Sequence, residues 1–526
     1  CPPRQRSVGN STFKISRITT SLQTFGRPPD GKSSPAGDSP WVPAPRVPPR
    51  AILYTGRSRY VLRRLPLLFL VLSVSPAQDL PAHLKRFIDL YSVVEREAAD
   101  PVVPDKAIYG GAIPGMLRPL DPHSVFFDPQ QFEQLRELEK STRKGFGSVV
   151  SVLPGRVIVL QALPGTPSAK AGMAPGDEIL AINGTVLARL DMEGLVDLLT
   201  QSRQREARLD VRRPGQPRLL QFTLTPEELQ SPSVERAFPL RPGVGYLRLS
   251  SFDAQTGTQV RDAIEKLGGA KLKGLLLDLR NNPGGLLPSA LETAALFLQP
   301  GRTLLAVRGR TVQAREEKVP EAARPYQFPL AVLLNGKSAS ASEIVAGALQ
   351  DHGRAVIVGE PSFGKGLVET VYPLSEDTGL ALTTAYYYTP KGRSIQRPLA
   401  ASQIQTGEQA GGIQPDLTVL PEPVTPFRAA LEASGWLTSF ATEFIRRQKV
   451  TQGFEVTAAL LDEFQVYLSD RKIQPGVAEW SREREWIRTR LKAEIFNQAL
   501  GVDQGDQVEA QRDPVILAAL AKLRLR

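Results

Sequence analysis

From about Ala237 to Pro421 the chain repeats one pattern, a short and almost continuously apolar run followed by a stretch of helical period. The apolar runs include GYLRLSSF at 245–252, KGLLLDLR at 273–280, PLAVLLN at 329–335 and RAVIVG at 354–359. Helical stretches cover 258–267, 287–298 and about Ala341 to Gln350. A strand that is apolar at nearly every position must be buried on both faces, and parallel βαβ units with helices on each side accomplish that.

The flanks have different textures. Residues 141–225 read as a small mixed domain of short strands, with GFGSVVSVL at 145–153, VIVLQAL at 157–163 and a Pro-Gly-Asp turn leading into a strand that ends in Asn183-Gly184. MEGLVDLLTQS at 192–202 is an amphipathic helix, and ARLDVRR and LLQFTLT supply two final strands. Residues 80–140 are helical and interrupted, with Leu84, Phe87, Ile88, Tyr91 and Val94 at steps of three and four. Beyond Pro421 the pattern is that of several amphipathic helices, with Phe440, Phe444 and Ile445 on one stripe and Leu460, Leu461, Phe464 and Leu468 on another. A chain of 526 residues exceeds one hydrophobic core, so a division into two to four domains is expected.

The net charge of +11 suggests nucleic acid until its location is examined. Residues 1–77 hold 12 Lys and Arg against Asp30 and Asp38, which leaves 53 basic against 52 acidic residues for the remainder. The basicity belongs to the leader, and a nucleic-acid partner is not expected. Within that leader, Arg63 and Arg64 precede the apolar LPLLFLVLSV, and Ser75-Pro76-Ala77 offers small residues at a cleavage site. This is the pattern of a secretory signal peptide at 61–77, with an uncleaved anchor near the membrane as the alternative. Residues 1–60 contain no Met and show no sustained periodicity, and are expected to be an upstream or untranslated segment. The only cysteine is Cys1, so no disulfide, thiolate metal site or cysteine nucleophile is expected beyond the leader, and no cofactor motif stands out.

The densest chemical signal is LLNGKSASASEIVAGALQDHGRAVIVGEPSFGKG at 333–366. A buried strand ends at Asn335, small residues make a tight turn, and a helix begins around Ser340 to Glu343. A serine there faces free backbone N–H groups at the positive end of a helix, although a Ser/Glu capping box would read the same way. Its base cannot be His352, which lies 12 residues on along the same helix, roughly 18 Å away and out of reach. His83 and His123 sit in no motif that suggests a catalytic base, and His123 after Asp121-Pro122 suits a turn hydrogen bond. Lys365 is the better candidate. Ten residues of extended chain, roughly 33 Å, can return to the helix start, and Gly364 and Gly366 flank the lysine. A lysine ordinarily titrates near about 10.4, so a lysine base at neutral pH must be drawn down by burial, a difference of about 4 kcal/mol.

SASASEIVAGALQD followed by GEPSFGKG resembles the catalytic core of the carboxy-terminal processing peptidases, or tail-specific proteases, a Ser-Lys serine peptidase family. LDPHS at 120–124, LDLRNNPGGLL at 277–287, LTTAYYYTPKGRSIQ at 382–396 and GIQPD at 412–416 extend the resemblance over about residues 80–420. The resemblance implies Ser340 as nucleophile and Lys365 as base. It implies an oxyanion hole from the Ala341 N–H and one from the Gly284-Gly285 turn, with the choice of glycine open. Four residues after the lysine, relatives usually carry glutamine, whereas this chain has Glu369; an ionised glutamate there would favour the ammonium form. The domain at 141–225 resembles the PDZ module of the same family, with Gly145-Phe146-Gly147-Ser148 as the carboxylate-binding loop.

The implied fold is a multidomain α/β protein. A crotonase-like ββα/βαβ protease core at 237–420 carries an inserted PDZ domain, with helical regions at 78–140 and 421–526. The implied function is an exported serine endopeptidase, in the periplasm or cell envelope, that binds protein or peptide substrates with a free C-terminus. A homodimer is among the expected assemblies, and a catalytically impaired PDZ scaffold is the alternative.

Overall fold

The computed structural model describes residues 80–138, 142–398 and 411–523. The upstream segment 1–60 and the signal peptide at 61–77 lie outside the described residues. Among the described residues no helix is long and apolar enough to cross a membrane, and no cluster of three His, Cys, Asp or Glu side chains could hold a metal ion.

Helix Leu80–Glu97 forms one unit with the short turn Pro104–Ala107, and neither buries a residue. The apolar stripe predicted at 84–94 is present on the helix, but Leu84, Phe87, Ile88 and Val94 are exposed.

The predicted parallel sheet is a six-stranded sheet in the order Val234–Arg241, Val244–Leu249, Gly274–Asp278, Leu330–Leu334, Ala355–Gly359, Leu417–Thr418. Its first pair is antiparallel and the rest are parallel. Strands Gly274–Asp278 and Leu330–Leu334 are buried at every residue because both faces are covered. Alternation decides which residue meets which cover. Leu275, Leu277, Val332 and Leu334 join the core beneath helices Thr256–Leu267, Leu287–Ala295 and Ala341–Asp351. Leu276, Ala331 and Leu333 face the other way, onto Val515, Ile516 and Ala519 of helix Pro514–Lys522.

The alternating pattern anticipated parallel units throughout, and here the structure differs. Strands Thr303–Arg308, Arg315–Lys318, Leu367–Pro373 and Gly379–Tyr388 form a separate antiparallel sheet, joined at Gly379–Ala381 by Val125–Phe127. The hairpin between Pro373 and Gly379 turns with Glu376 and Asp377 at positive φ (57° and 55°), not with the glycine that marks such turns in a sequence.

Residues 148–224 form an antiparallel sheet of Ser148–Leu153, Arg156–Ala162, Glu178–Ile182, Ala207–Arg212 and Leu220–Leu224. Asn183 and Gly184 make the predicted turn, both at positive φ. Helix Met192–Ser202, capped by Asp191 on the Gly194 N–H, closes the core with Leu195. In the C-terminal region, helices Trp436–Arg447, Ala458–Ser469 and Val477–Ala499 bury the predicted stripe residues Phe440, Phe444, Leu461, Phe464 and Leu468 in one cluster with Ile487 and Leu491.

Candidate active site

Ser340 occupies the junction between strand Leu330–Leu334 and helix Ala341–Asp351, with φ 53° and ψ −114°. A non-glycine residue in such a conformation costs of order 1–3 kcal/mol and persists only where its surroundings hold it. The holding group is Glu343, one turn into the helix and fully buried. Its carboxylate accepts from the Ser340 N–H at 2.8 Å, the Lys365 N–H at 2.9 Å, the Gly364 N–H at 2.6 Å and the Ser362 hydroxyl at 2.5 Å. The first two donors share Oε2, so the amide nitrogens of Ser340 and Lys365 lie no more than 5.7 Å apart. Burial pushes the Glu343 carboxyl above its ordinary range, against the four hydrogen bonds that favour its charged form.

The chain runs along strand Ala355–Gly359 and turns back, so that the backbone of Lys365 lies near that of Ser340. Gly364 has φ 91°, and a Cβ on Gly366 would lie 2.4 Å from the Gln396 nitrogen, so both flanking glycines answer a close approach. The Lys365 side chain turns to Glu369, with Nζ donating to Oε2 at 3.0 Å. Among the described residues no hydrogen bond joins Ser340 Oγ to Lys365 Nζ. A register shift between Val368 and Glu369 bends the strand at this point.

His123 approaches the same glutamate from the LDPHS loop, Nδ1 lying 3.8 Å from Glu369 Oε1. Its backbone makes the predicted turn. Asp121 accepts from the N–H groups of His123 and Ser124 at 2.7 and 2.8 Å and from the Ser124 hydroxyl at 2.8 Å. Burial, and then the Lys365 charge, hold the His123 imidazole below its ordinary pKa. His352 is occupied elsewhere, with Nε2 2.7 Å from the Thr303 carbonyl oxygen.

The turn Asn282-Pro283-Gly284-Gly285 lies against the nucleophile. A Cβ on Gly284 would stand 2.8 Å from Ser340 Cβ and 3.0 Å from the Ala341 nitrogen. The Gly284 N–H donates to Asn282 Oδ1 at 2.9 Å. Among the described residues the N–H groups of Gly285 and Ala341 have no acceptor, so these two remain available to an incoming oxygen. Asn282 is buried and stitches the turn in place: its carbonyl accepts from the Ala339 N–H and the Ser342 hydroxyl, and its amide donates to the Leu249 carbonyl.

The sequence reading treated Glu343 and Asn282 as parts of a cap and a turn, and gave neither a role at the site. The S-x-x-E spacing from Ser340 was the available signal for Glu343. For the approach of His123 to Glu369, across 246 positions, there was none.

Beside the antiparallel sheet of residues 148–224, Gly145, Phe146, Gly147 and Ser148 line a groove together with Val150, Met173, Ile179 and Leu209. Gly147 has φ 76°, and a Cβ there would overlap the Thr166 side chain. The Phe146 and Gly147 carbonyls accept from the N–H groups of Ser168 and Leu163 at 2.9 and 2.8 Å, which fixes the loop against the rest of the domain. Such a loop can hold a terminal carboxylate above an apolar pocket.

Residues 243–419 match the family described as Peptidase family S41, and residues 158–213 match PDZ domain. A carboxy-terminal-processing protease of Bartonella bacilliformis is 37% identical over 61% of this chain and 74% of its own length. A carboxyl-terminal-processing protease of Synechocystis sp. is 36% identical over 54% of this chain and 68% of its own. A solved structure titled photosystem II D1 C-terminal processing protease is 30% identical, covers 64% of this chain and 88% of that one, and superposes with a TM-score of 0.38, so the kinship rests on the sequence matches. The chain belongs to the carboxy-terminal-processing proteases of peptidase family S41, serine peptidases, and it carries a PDZ domain.

Proposed function

We propose that the protein is an exported endopeptidase that captures the C-terminus of a substrate in its PDZ groove and cleaves the chain through a Ser340–Lys365 dyad. One observation carries the reading: a single oxygen of the buried Glu343 accepts the backbone N–H of both residues. Two segments 25 positions apart are thereby tied at one point, beside a glycine turn with an unused N–H.

In the mechanism, the Lys365 ammonium first passes one proton to the Glu369 carboxylate it touches, and the neutral amine turns to the Ser340 hydroxyl. Ser340 Oγ attacks the scissile carbonyl while its proton passes to the lysine. The oxyanion accepts the N–H groups of Ala341 and Gly285, each such donor being worth about 2.7–4 kcal/mol of barrier. The lysine proton then leaves with the amine product; the same lysine deprotonates a water that attacks the acyl-enzyme, and it returns that proton to Ser340 Oγ as the acyl bond breaks. Glu369 takes the third catalytic position, orienting the amine, with His123 behind it. Gly145, Phe146, Gly147 and Ser148 hold the substrate carboxylate.

The finer assignments belong to the same proposal: a crotonase-like core at 237–420, a PDZ domain at 141–225, helical regions at 78–140 and 421–526, and export to the periplasm or envelope by the leader. The alternative, an impaired scaffold, draws on one observation, the Lys365–Glu369 ion pair where a Ser340–Lys365 hydrogen bond would stand. A fluorophosphonate probe separates the two. Labelling at Ser340 that disappears in Lys365→Ala supports the peptidase, and a wild-type chain that resists the probe across pH 6–10 overturns it. Peptides with free and amidated C-termini, compared on the same enzyme, test the PDZ role; equal cleavage of both would refute it.

A further inference from the structure

The C-terminal helices touch both the PDZ sheet and the peptidase sheet. On the PDZ side, the Arg156 guanidinium donates to Glu178 at 2.7 Å, to the Ser434 carbonyl at 3.3 Å and to the Ser439 hydroxyl at 3.2 Å, and lies 5.3 Å from the centre of the Trp436 ring. Side chains of one region pack directly onto glycines of the other here. A Cβ on Gly435, which has φ 69°, would lie 2.3 Å from a Leu153 methyl, and one on Gly176 would lie 2.4 Å from a Thr442 methyl.

Helix Val502–Ala510 makes both attachments by itself. The Val502 N–H donates to Gln161 Oε1 of strand Arg156–Ala162 at 3.2 Å. About one turn further on, Asp506 pairs with Arg236, the Gln507 amide donates to the Pro239 carbonyl at 2.9 Å, and Ala510 packs in the cluster of Phe238 and Tyr246. Nine helical residues make a stiff rod of about 13 Å.

We infer that these helices hold the PDZ groove at a fixed distance from Ser340, which makes Arg156 and Trp436 determinants of where a substrate is cut. The inference rests on the roles proposed above for the groove and for Ser340. An extended chain advances roughly 3.3–3.6 Å per residue, so a fixed groove selects one or two bonds counted from the C-terminus, whereas a groove free to swing by about 10 Å spreads cleavage over about three.

The test uses the full chain and peptides of one repeating sequence, with one apolar C-terminal residue, lengthened a residue at a time. Products are weighed by mass spectrometry. The wild type should keep its count from the C-terminus as the peptides lengthen, and Arg156→Ala/Trp436→Ala should spread its cuts over about three or more bonds. Arg156→Lys, which keeps a charge beside Glu178 but loses the fork to Ser434 and Ser439, should show a smaller spread and serves if the double variant does not fold.

A second readout needs no activity. Spin labels on Glu206→Cys and Lys271→Cys, both exposed, in a Cys1→Ser background should give a narrow distance distribution that broadens in the variants. Identical cut sites in wild type and folded variants, or a wild-type distribution as broad as theirs, overturns the inference. Narrow distances in a wild type that cleaves nothing support the strut and sink the role given to Ser340.

Discussion

Two glutamates meet Lys365, one at its backbone N–H and one at its side chain, and they do different work. Glu343 is fully buried and takes the lysine's backbone N–H together with those of Ser340 and Gly364. Glu369 is 28% exposed at its side chain and takes the ammonium. One carboxylate is satisfied by neutral donors and fixes where the chain runs; the other faces a cation and bears on its charge. A buried carboxylate without a cation is expensive unless several hydrogen bonds meet it, and four do. A part-exposed ion pair is screened and easily exchanged. Place is therefore set by the costly interaction and charge by the cheap one, which leaves the amine free to change partners while the backbone stays still.

Loss of either proposed reacting group should have the largest effect. Ser340→Ala and Lys365→Ala should each lower kcat by about 10⁴-fold or more in a peptide assay, with the double variant hardly worse, because the two act as a unit. Next comes the turn. Gly285→Ala sets a Cβ 2.0 Å from the Phe252 carbonyl oxygen at φ 143°, so it should displace a proposed oxyanion donor and cost about 10²–10³ in kcat. Retained activity in that variant would move the donor role elsewhere. Glu343→Gln puts an amide where two N–H donors converge, and should reduce kcat about 10²-fold at unchanged KM. A change confined to KM would mean that Glu343 shapes binding and does not set place.

Smaller effects concern charge. Glu369→Gln removes the ion pair and should raise kcat at neutral pH by about three- to tenfold, leaving KM unaltered. A fall in kcat would show that the carboxylate itself is needed. The smallest effect is in stability. Burial raises the Glu343 carboxyl above its unfolded value, so the folded chain holds that proton more tightly. The contribution is full below the unfolded pKa and fades as pH rises through the folded one. Urea denaturation of Glu343→Gln between pH 4 and 8 should lack this component; an unchanged pH slope would contradict the assignment.

The serine, the lysine and the glycine turn of the proposed site could be singled out because each lies in a contiguous motif whose residue types serve local geometry. The apolar strands 273–280 and 329–335 were legible because burial on both faces leaves no polar alternation. The antiparallel sheet around Gly379–Tyr388 was not, since its tight turn uses Glu376 and Asp377 at positive φ. Nor was the proposed preference for Gly285 over Gly284 as oxyanion donor legible: it rests on the Asn282 side chain accepting the Gly284 N–H. For residues 421–526 the periodicity gave helices and their buried stripes, but not what the outer surfaces of those helices would meet.

By itself the amino-acid order determined the buried parallel strands, the amphipathic helices, the residues proposed for acyl-transfer chemistry, and the kinship with processing peptidases, because short-range pattern and residue chemistry carry that information. Only the tertiary structure decided who stands beside whom. It brought His123 to Glu369, four donors to Glu343, and one short helix to both the PDZ and the peptidase sheet. The physical reason is that these contacts join groups far apart along the chain, and their partners are chosen by packing of buried surfaces, which no local period encodes.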